Sequence, residues 1–141
     1  MIKRRFLLSL LVLLTMLLVA CAEPPYTNID ATQMLELQKQ GVAVYDIRRE
    51  EEWRQTGVVE GSKQLTAFDR SGRFTPQFLP EFMSETDRQK PVVLICRTGN
   101  RTSALAKFLA EEKGYSSVYS VSNGITGWKR EGKPVVKCDK C

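Results

Sequence analysis

Histidine is absent from the 141 residues. No imidazole is available as a base near neutral pH, as the partner that activates a serine or cysteine, or as a metal ligand. Cysteine is scarce, and its four positions, 21, 96, 138 and 141, do not read as a disulfide framework. Aromatic residues make up 9% of the chain, and no basic stripe interleaves with them. Nucleic acid is therefore not an expected partner. No apolar run reaches the roughly 20 residues that a helix needs to span a bilayer. There is no internal repeat and no low-complexity segment.

What is present begins with Lys3-Arg4-Arg5, then an apolar stretch from Phe6 to Ala20 that closes on Leu18-Val19-Ala20-Cys21. A basic start, a short apolar run and small residues at its end describe a signal peptide. The tetrapeptide resembles the bacterial lipobox, which implies diacylglyceryl transfer to Cys21, cleavage before it and N-acylation. An uncleaved anchor helix and an ordinary secretory signal are the alternatives. The expected division is a lipoprotein signal peptide over 1–20, a lipidated cysteine and tether over 21–28, one domain over 29–136 and a Cys-x-x-Cys tail over 137–141. The expected place is the bacterial cell envelope, lipid-anchored to the membrane with the domain in the periplasm. Ala22, rather than Asp, after the cysteine favours the outer membrane under the enterobacterial sorting rule. Lys and Arg number 21 against 16 Asp and Glu, so losing Lys3, Arg4 and Arg5 lowers the net charge from +5 to +2. The remaining chain of about 120 residues is long enough for one real core without staples.

Short apolar runs alternate with helical ones along that domain. Asp30 is a candidate N-cap for a helix from Ala31 to Gln40 ended by Gly41, and Val42 to Ile47 reads as a buried strand. Glu50 to Arg54 predicts a helical turn, and Gly57 to Phe68 a loop with one strand at most. Thr75 to Met83 predicts a helix with Pro76 in its first turn. Pro91 to Ile95 reads as a strand, Thr102 to Lys113 as a helix, Ser117 to Val121 as a strand and Ile125 to Arg130 as a last short helix. Trp53 and Trp128 read as packing aromatics. The alternation predicts an α/β domain with a mainly parallel sheet covered by helices on both faces.

The stretch richest in chemistry is Cys96-Arg97-Thr98-Gly99-Asn100-Arg101, set between a strand and a helix N-terminus. Unpaired backbone N–H groups and the positive end of the helix dipole favour a thiolate at Cys96 and an anion beside it. In a parallel α/β sheet, ligands bind beyond the carboxyl ends of strands, where Cys96 falls. The alternative is a small buried residue that merely ends a core strand.

From about Ile29 to Val136 the chain resembles the rhodanese-like family of sulfurtransferases in its single-domain form. The loop from Cys96 to Arg101 looks like that family's six-residue active-site loop. Asp46-Ile47-Arg48, Glu51-Glu52-Trp53, Gly57, Gly61-Ser62 and Asn123-Gly124-Ile125-Thr126-Gly127-Trp128 match as well. One departure is Val58, where relatives often carry a histidine. The resemblance implies that the Cys96 thiolate takes a sulfane sulfur from thiosulfate or a similar small anion, forms a persulfide, and yields the sulfur to cyanide or a thiol. Arg97, Thr98, Gly99, Asn100 and Arg101 then form the binding loop, and no metal or organic cofactor is required. Arg97 and Arg101 are the expected partners of the dianion.

Two other classes share these parts. A binding module would carry or sense sulfur without turnover. A phosphatase or arsenate reductase needs Cys-x5-Arg, whereas here Thr102 stands at the sixth position and the loop is one residue shorter. The tail cysteines, Cys138 and Cys141, leave three readings: a local disulfide or mobile tail, a resolving pair for Cys96, or part of a zinc or copper(I) site shared with a second chain.

Overall fold

The computed structural model describes residues 23–138. The segment expected to be a signal peptide, the expected lipidation site Cys21, and Cys141 lie outside the described residues. The elements run β1 (Thr27–Ile29), α1 (Ala31–Lys39), β2 (Ala43–Asp46), α2 (Glu50–Thr56), β3 (Lys63–Gln64), α3 (Phe78–Glu85), β4 (Val92–Ile95), α4 (Asn100–Lys113), β5 (Val118–Val121) and α5 (Gly124–Arg130).

The five strands form one parallel sheet in the order β1-β5-β4-β2-β3. Strand alternation sorts their side chains into two cores. Tyr45, Val92, Leu94 and Val118 pack beneath Phe78 and Phe82 of α3 and Leu105 and Leu109 of α4. On the opposite face Val44, Val93, Ile95 and Val121 meet Met34 of α1 and Ile125 and Trp128 of α5. The helices therefore cover both faces, as the alternation predicts. Continuous apolar runs such as Val92-Val93-Leu94-Ile95 are what a strand buried on both sides requires, and all four are buried. Both tryptophans are buried; the Trp128 indole donates to the Pro134 carbonyl at 2.8 Å.

Four elements differ from the sequence expectations by two residues or more; one of them, α2, runs past Arg54 to Thr56. β1 begins inside the segment expected to be tether, because Thr27, Asn28 and Ile29 gain ladder partners in Tyr119, Ser120 and Val121. α3 starts at Phe78 rather than Thr75. The Thr75 N–H is bound to the Ala67 carbonyl and its hydroxyl to that of Thr66, while Phe74 stacks on Phe68, so residues 66–75 close a turn of their own. Pro80, not Pro76, occupies the first turn of the helix. α4 begins two residues early, at Asn100, behind Gly99.

From β2 the chain moves outward to β3, and from β4 it moves the other way to β5. The sheet's switch point thus lies between β2 and β4, where a crevice opens beyond their carboxyl ends. Asp46-Ile47-Arg48 follows one of these strands and Cys96 the other, joined by a hydrogen bond from the Ile47 N–H to the Ile95 carbonyl. No helix among the described residues is long and apolar enough to cross a membrane.

Candidate active site

Cys96 continues the alternation of Val92 and Leu94, which turns its side chain toward α4 and leaves it 1% exposed. The loop beyond it is held from behind by α5. The Ile125 N–H donates to the Cys96 carbonyl at 2.8 Å, and that of Thr126 to the Arg97 carbonyl at 3.1 Å. With these carbonyls tied away, the loop presents an N–H to the sulfur, and Gly99 donates to Cys96 Sγ at 3.2 Å.

Two glycines make this path possible. Gly99 has φ +99°, and a Cβ there would lie 2.1 Å from the Ser122 carbonyl oxygen. A Cβ on Gly124 would lie 2.3 Å from the carbonyl oxygen of Cys96. Only hydrogen fits at either place. Beneath the sulfur, Thr102 Oγ1 lies 3.6 Å from Sγ, donates to the Gly99 carbonyl at 2.9 Å and accepts from the buried Ser120 hydroxyl at 2.9 Å.

Arg101 lies at the start of α4, as expected, but it is engaged by a carboxylate. Its two terminal nitrogens donate to the two oxygens of Glu52 at 2.8 and 2.7 Å. Glu52 also accepts the Arg49 N–H at 3.1 Å, closing the first turn of α2. Burial alone would raise the Glu52 carboxyl, but the hydrogen bonds from Arg101 and Arg49 and the charges of both arginines hold it at about 2. Burial likewise works against the Arg101 charge; the Glu52 carboxylate, with smaller help from Cys96 and Asp46, keeps that guanidinium above its ordinary range.

A second arginine braces the far wall. Arg48, 1% exposed, donates to both Asp46 oxygens, with its shortest contact at 2.7 Å. It also donates to Thr56 Oγ1 at 2.6 Å and to the Gly57 carbonyl at 2.8 Å. This pair anchors the end of β2 to the C-terminal end of α2, the helix that carries Glu52. Val58 also has a structural place here. It exchanges two backbone hydrogen bonds with Val136, at 2.9 and 2.8 Å, which pins the last described segment beside α2.

Arg97, Thr98 and Asn100 are exposed around the loop, whereas Gly99 is buried. Arg97 lines a cleft of about 360 Å³ between α2 and α5, with Gln55, Thr56, Ile125, Thr126 and Lys129 among the other walls. On the other side of the loop, Asn100 and Arg101 line a cleft of about 330 Å³ with Arg49, Phe68, Asp69 and Arg70.

The predicted loop residues thus follow Cys96 in one turn, with Gly99 contacting its sulfur, while Cys138 stands apart from them in sequence and is disulfide-bonded. Among the described residues no cluster of three or more His, Cys, Asp or Glu side chains could hold a metal. Glu52, Thr102, Ser120 and Lys129 were not singled out as site residues by the sequence. Ser120 carried a signal, a polar residue inside an apolar strand. Glu52 lies in the matched stretch Glu51-Glu52-Trp53, but only folding places that one of three neighbouring carboxylates against Arg101.

The family model described as a rhodanese-like domain matches residues 30–131. The thiosulfate sulfurtransferase GlpE of Actinobacillus pleuropneumoniae serotype 3 is 32% identical over 112 residues, covering 78% of this chain and 93% of the relative. That of Pseudoalteromonas translucida is 30% identical over 105 residues, covering 74% and 90%. Among solved structures, Rv0390 from M. tuberculosis superposes with a TM-score of 0.66 at 27% identity, covering 80% of this chain and 99% of that one.

Proposed function

The chain belongs to the rhodanese-like domain family and is a sulfurtransferase; on that premise we propose that it moves sulfane sulfur from thiosulfate to a thiophilic acceptor through a persulfide on Cys96. The observation that carries this reading is the Gly99 N–H aimed at Cys96 Sγ, in a short loop that opens α4.

The Cys96 thiolate attacks the outer sulfur of thiosulfate. A bond forms between Sγ and that sulfur, the sulfur–sulfur bond of thiosulfate breaks, and sulfite leaves with its electron pair. The persulfide that remains is anionic, so the oriented N–H of Gly99 and the positive end of α4 stabilise it without reorganising. Cyanide or a thiolate then attacks the terminal sulfur, and the electron pair returns to Cys96. Thr98 and Asn100 complete the rim of the loop, and no residue has to exchange a proton with thiosulfate, which suits a chain without histidine. Thr102 at the sixth position, and an Arg101 already paired with Glu52, support sulfur transfer over the chemistry of Cys-x5-Arg phosphatases.

Intact mass of residues 22–141 before and after thiosulfate tests the reading. We expect a gain of one sulfur atom that disappears in Cys96→Ser and survives Cys138→Ser with Cys141→Ser, followed by its loss on adding cyanide. No gain would overturn it, and a gain that cyanide or thiols fail to discharge would make the chain a sulfur carrier.

We further infer that Cys21 carries lipid and holds the domain at the periplasmic side of the cell envelope. Lys3-Arg4-Arg5, the apolar run to Ala20 and Leu18-Val19-Ala20-Cys21 support this. Labelled palmitate should enter the wild-type chain and not Cys21→Ala, and membrane fractionation should separate the two.

A further inference from the structure

The two clefts that flank the Cys96 loop differ in charge. In the cleft beside Arg101 the cations are spoken for: Arg101 and Arg49 pair with Glu52, Arg49 and Arg70 with Glu51, and Asp69 with Arg73. In the cleft between α2 and α5, Arg48 is neutralised by Asp46 and Glu52 by Arg101. Arg97 and Lys129, which line that same cleft, form no ion pair or side-chain hydrogen bond with any residue among those described. Two uncompensated positive charges therefore face one cavity that touches the loop next to the thiol.

Resting on the persulfide reading above, we propose that Arg97 and Lys129 bind the anionic end of the sulfur donor in this cleft, and that Arg101 acts as a positioning residue through Glu52. Thiosulfate shares its charge between the outer sulfur and the three oxygens that leave as sulfite, so cations at the cleft hold the oxygen end that departs while the outer sulfur reaches Cys96. Lys129 sits on the exposed side of α5, one helix away in sequence from the loop, and enters the site because α5 is bound to the Cys96 and Arg97 carbonyls. Ile125 and Thr126, from the same helix, line the same cleft. The pair favours small anionic donors over neutral or cationic ones, since bringing a positive group into a doubly positive cleft is repulsive.

Steady-state kinetics with thiosulfate and with cysteamine persulfide, whose organic part is cationic, test this. In Lys129→Gln and in Arg97→Gln, KM for thiosulfate should rise about tenfold with kcat held within about twofold. For cysteamine persulfide kcat/KM should stay level or rise in the same variants. Lys129→Arg should restore the wild-type KM, and Arg130→Gln, which alters an exposed cation outside the cleft, should leave it unchanged. KM for thiosulfate unchanged in both Lys129→Gln and Arg97→Gln would overturn the assignment, as would equal losses with both donors. If the wild-type chain gains no sulfur from thiosulfate by intact mass, the persulfide reading fails and this assignment with it; a gain alongside an unchanged KM defeats the assignment alone.

Discussion

Glu52 and Arg101 meet as a two-pronged ion pair with contacts of 2.7 and 2.8 Å, joining the first turn of α2 to the first turn of α4. The helix that carries the Cys96 loop is thereby clamped to the helix that follows β2. Arg101 is 22% exposed and Glu52 10%, so the pair is only lightly screened by solvent.

Removing this carboxylate has a pH signature. The Glu52 carboxyl is held at about 2, below its ordinary 4.5, so its contribution to stability is fully present above pH 4.5 and is lost as the pH falls toward 2. Glu52→Gln should lower stability by about 1–3 kcal/mol at pH 7. Urea unfolding of both proteins should show the gap closing between pH 4.5 and the lowest pH at which they remain folded; a gap that stays constant would contradict the ion-pair account.

Arg48→Met leaves Asp46, which is fully buried, without its counter-charge and deprives Thr56 and the Gly57 carbonyl of a donor. We expect a loss of about 3–5 kcal/mol by urea denaturation. A loss below 1 kcal/mol would mean that water replaces the guanidinium in the crevice.

Gly99→Ala places a methyl group where the Ser122 carbonyl oxygen stands 2.1 Å away, at a φ that side chains rarely adopt. The loop must shift, and the N–H on Cys96 shifts with it. Persulfide formation measured by single-turnover mass spectrometry should slow at least about 100-fold, the scale on which a single oriented donor is lost from an anion site. The circular-dichroism spectrum should remain that of a folded α/β domain.

Thr102→Val preserves shape but removes the hydroxyl that links Cys96, Gly99 and Ser120. The buried Ser120 hydroxyl then has no acceptor there, at a cost of about 1–3 kcal/mol. The double change with Ser120→Ala should recover part of that stability without recovering the transfer rate, because the loop still lacks its bond from residue 102 to the Gly99 carbonyl. Thermal melts and single-turnover rates on the two variants separate these effects.

Much of this molecule was legible before folding because the signals are local. A helix starting after Asp30, with Gln33 returning the bond at 2.9 Å, is set by residues within one turn. The strand, six-residue loop and helix around Cys96 announce themselves by apolar run, glycine and helical pattern, and parallel layering follows from their alternation. β1 was missed because three residues after two prolines have no strand signal of their own and pair only once β5 lies beside them. The start of α3 shifted for a similar reason: Thr75 bonds back to Ala67 and Thr66 rather than opening a helix.

By itself, then, the order of residues determined a parallel α/β domain and placed a thiol at a strand end before a helix, since periodicity, caps and turn chemistry act over a few neighbours. Which charges that thiol meets was decided only by tertiary structure. Glu52 selects Arg101 across 49 positions, and Lys129 reaches the cleft because α5 hydrogen-bonds the loop. Coulomb energy depends on distance in space and on burial, and neither is encoded in the spacing of residues along the chain.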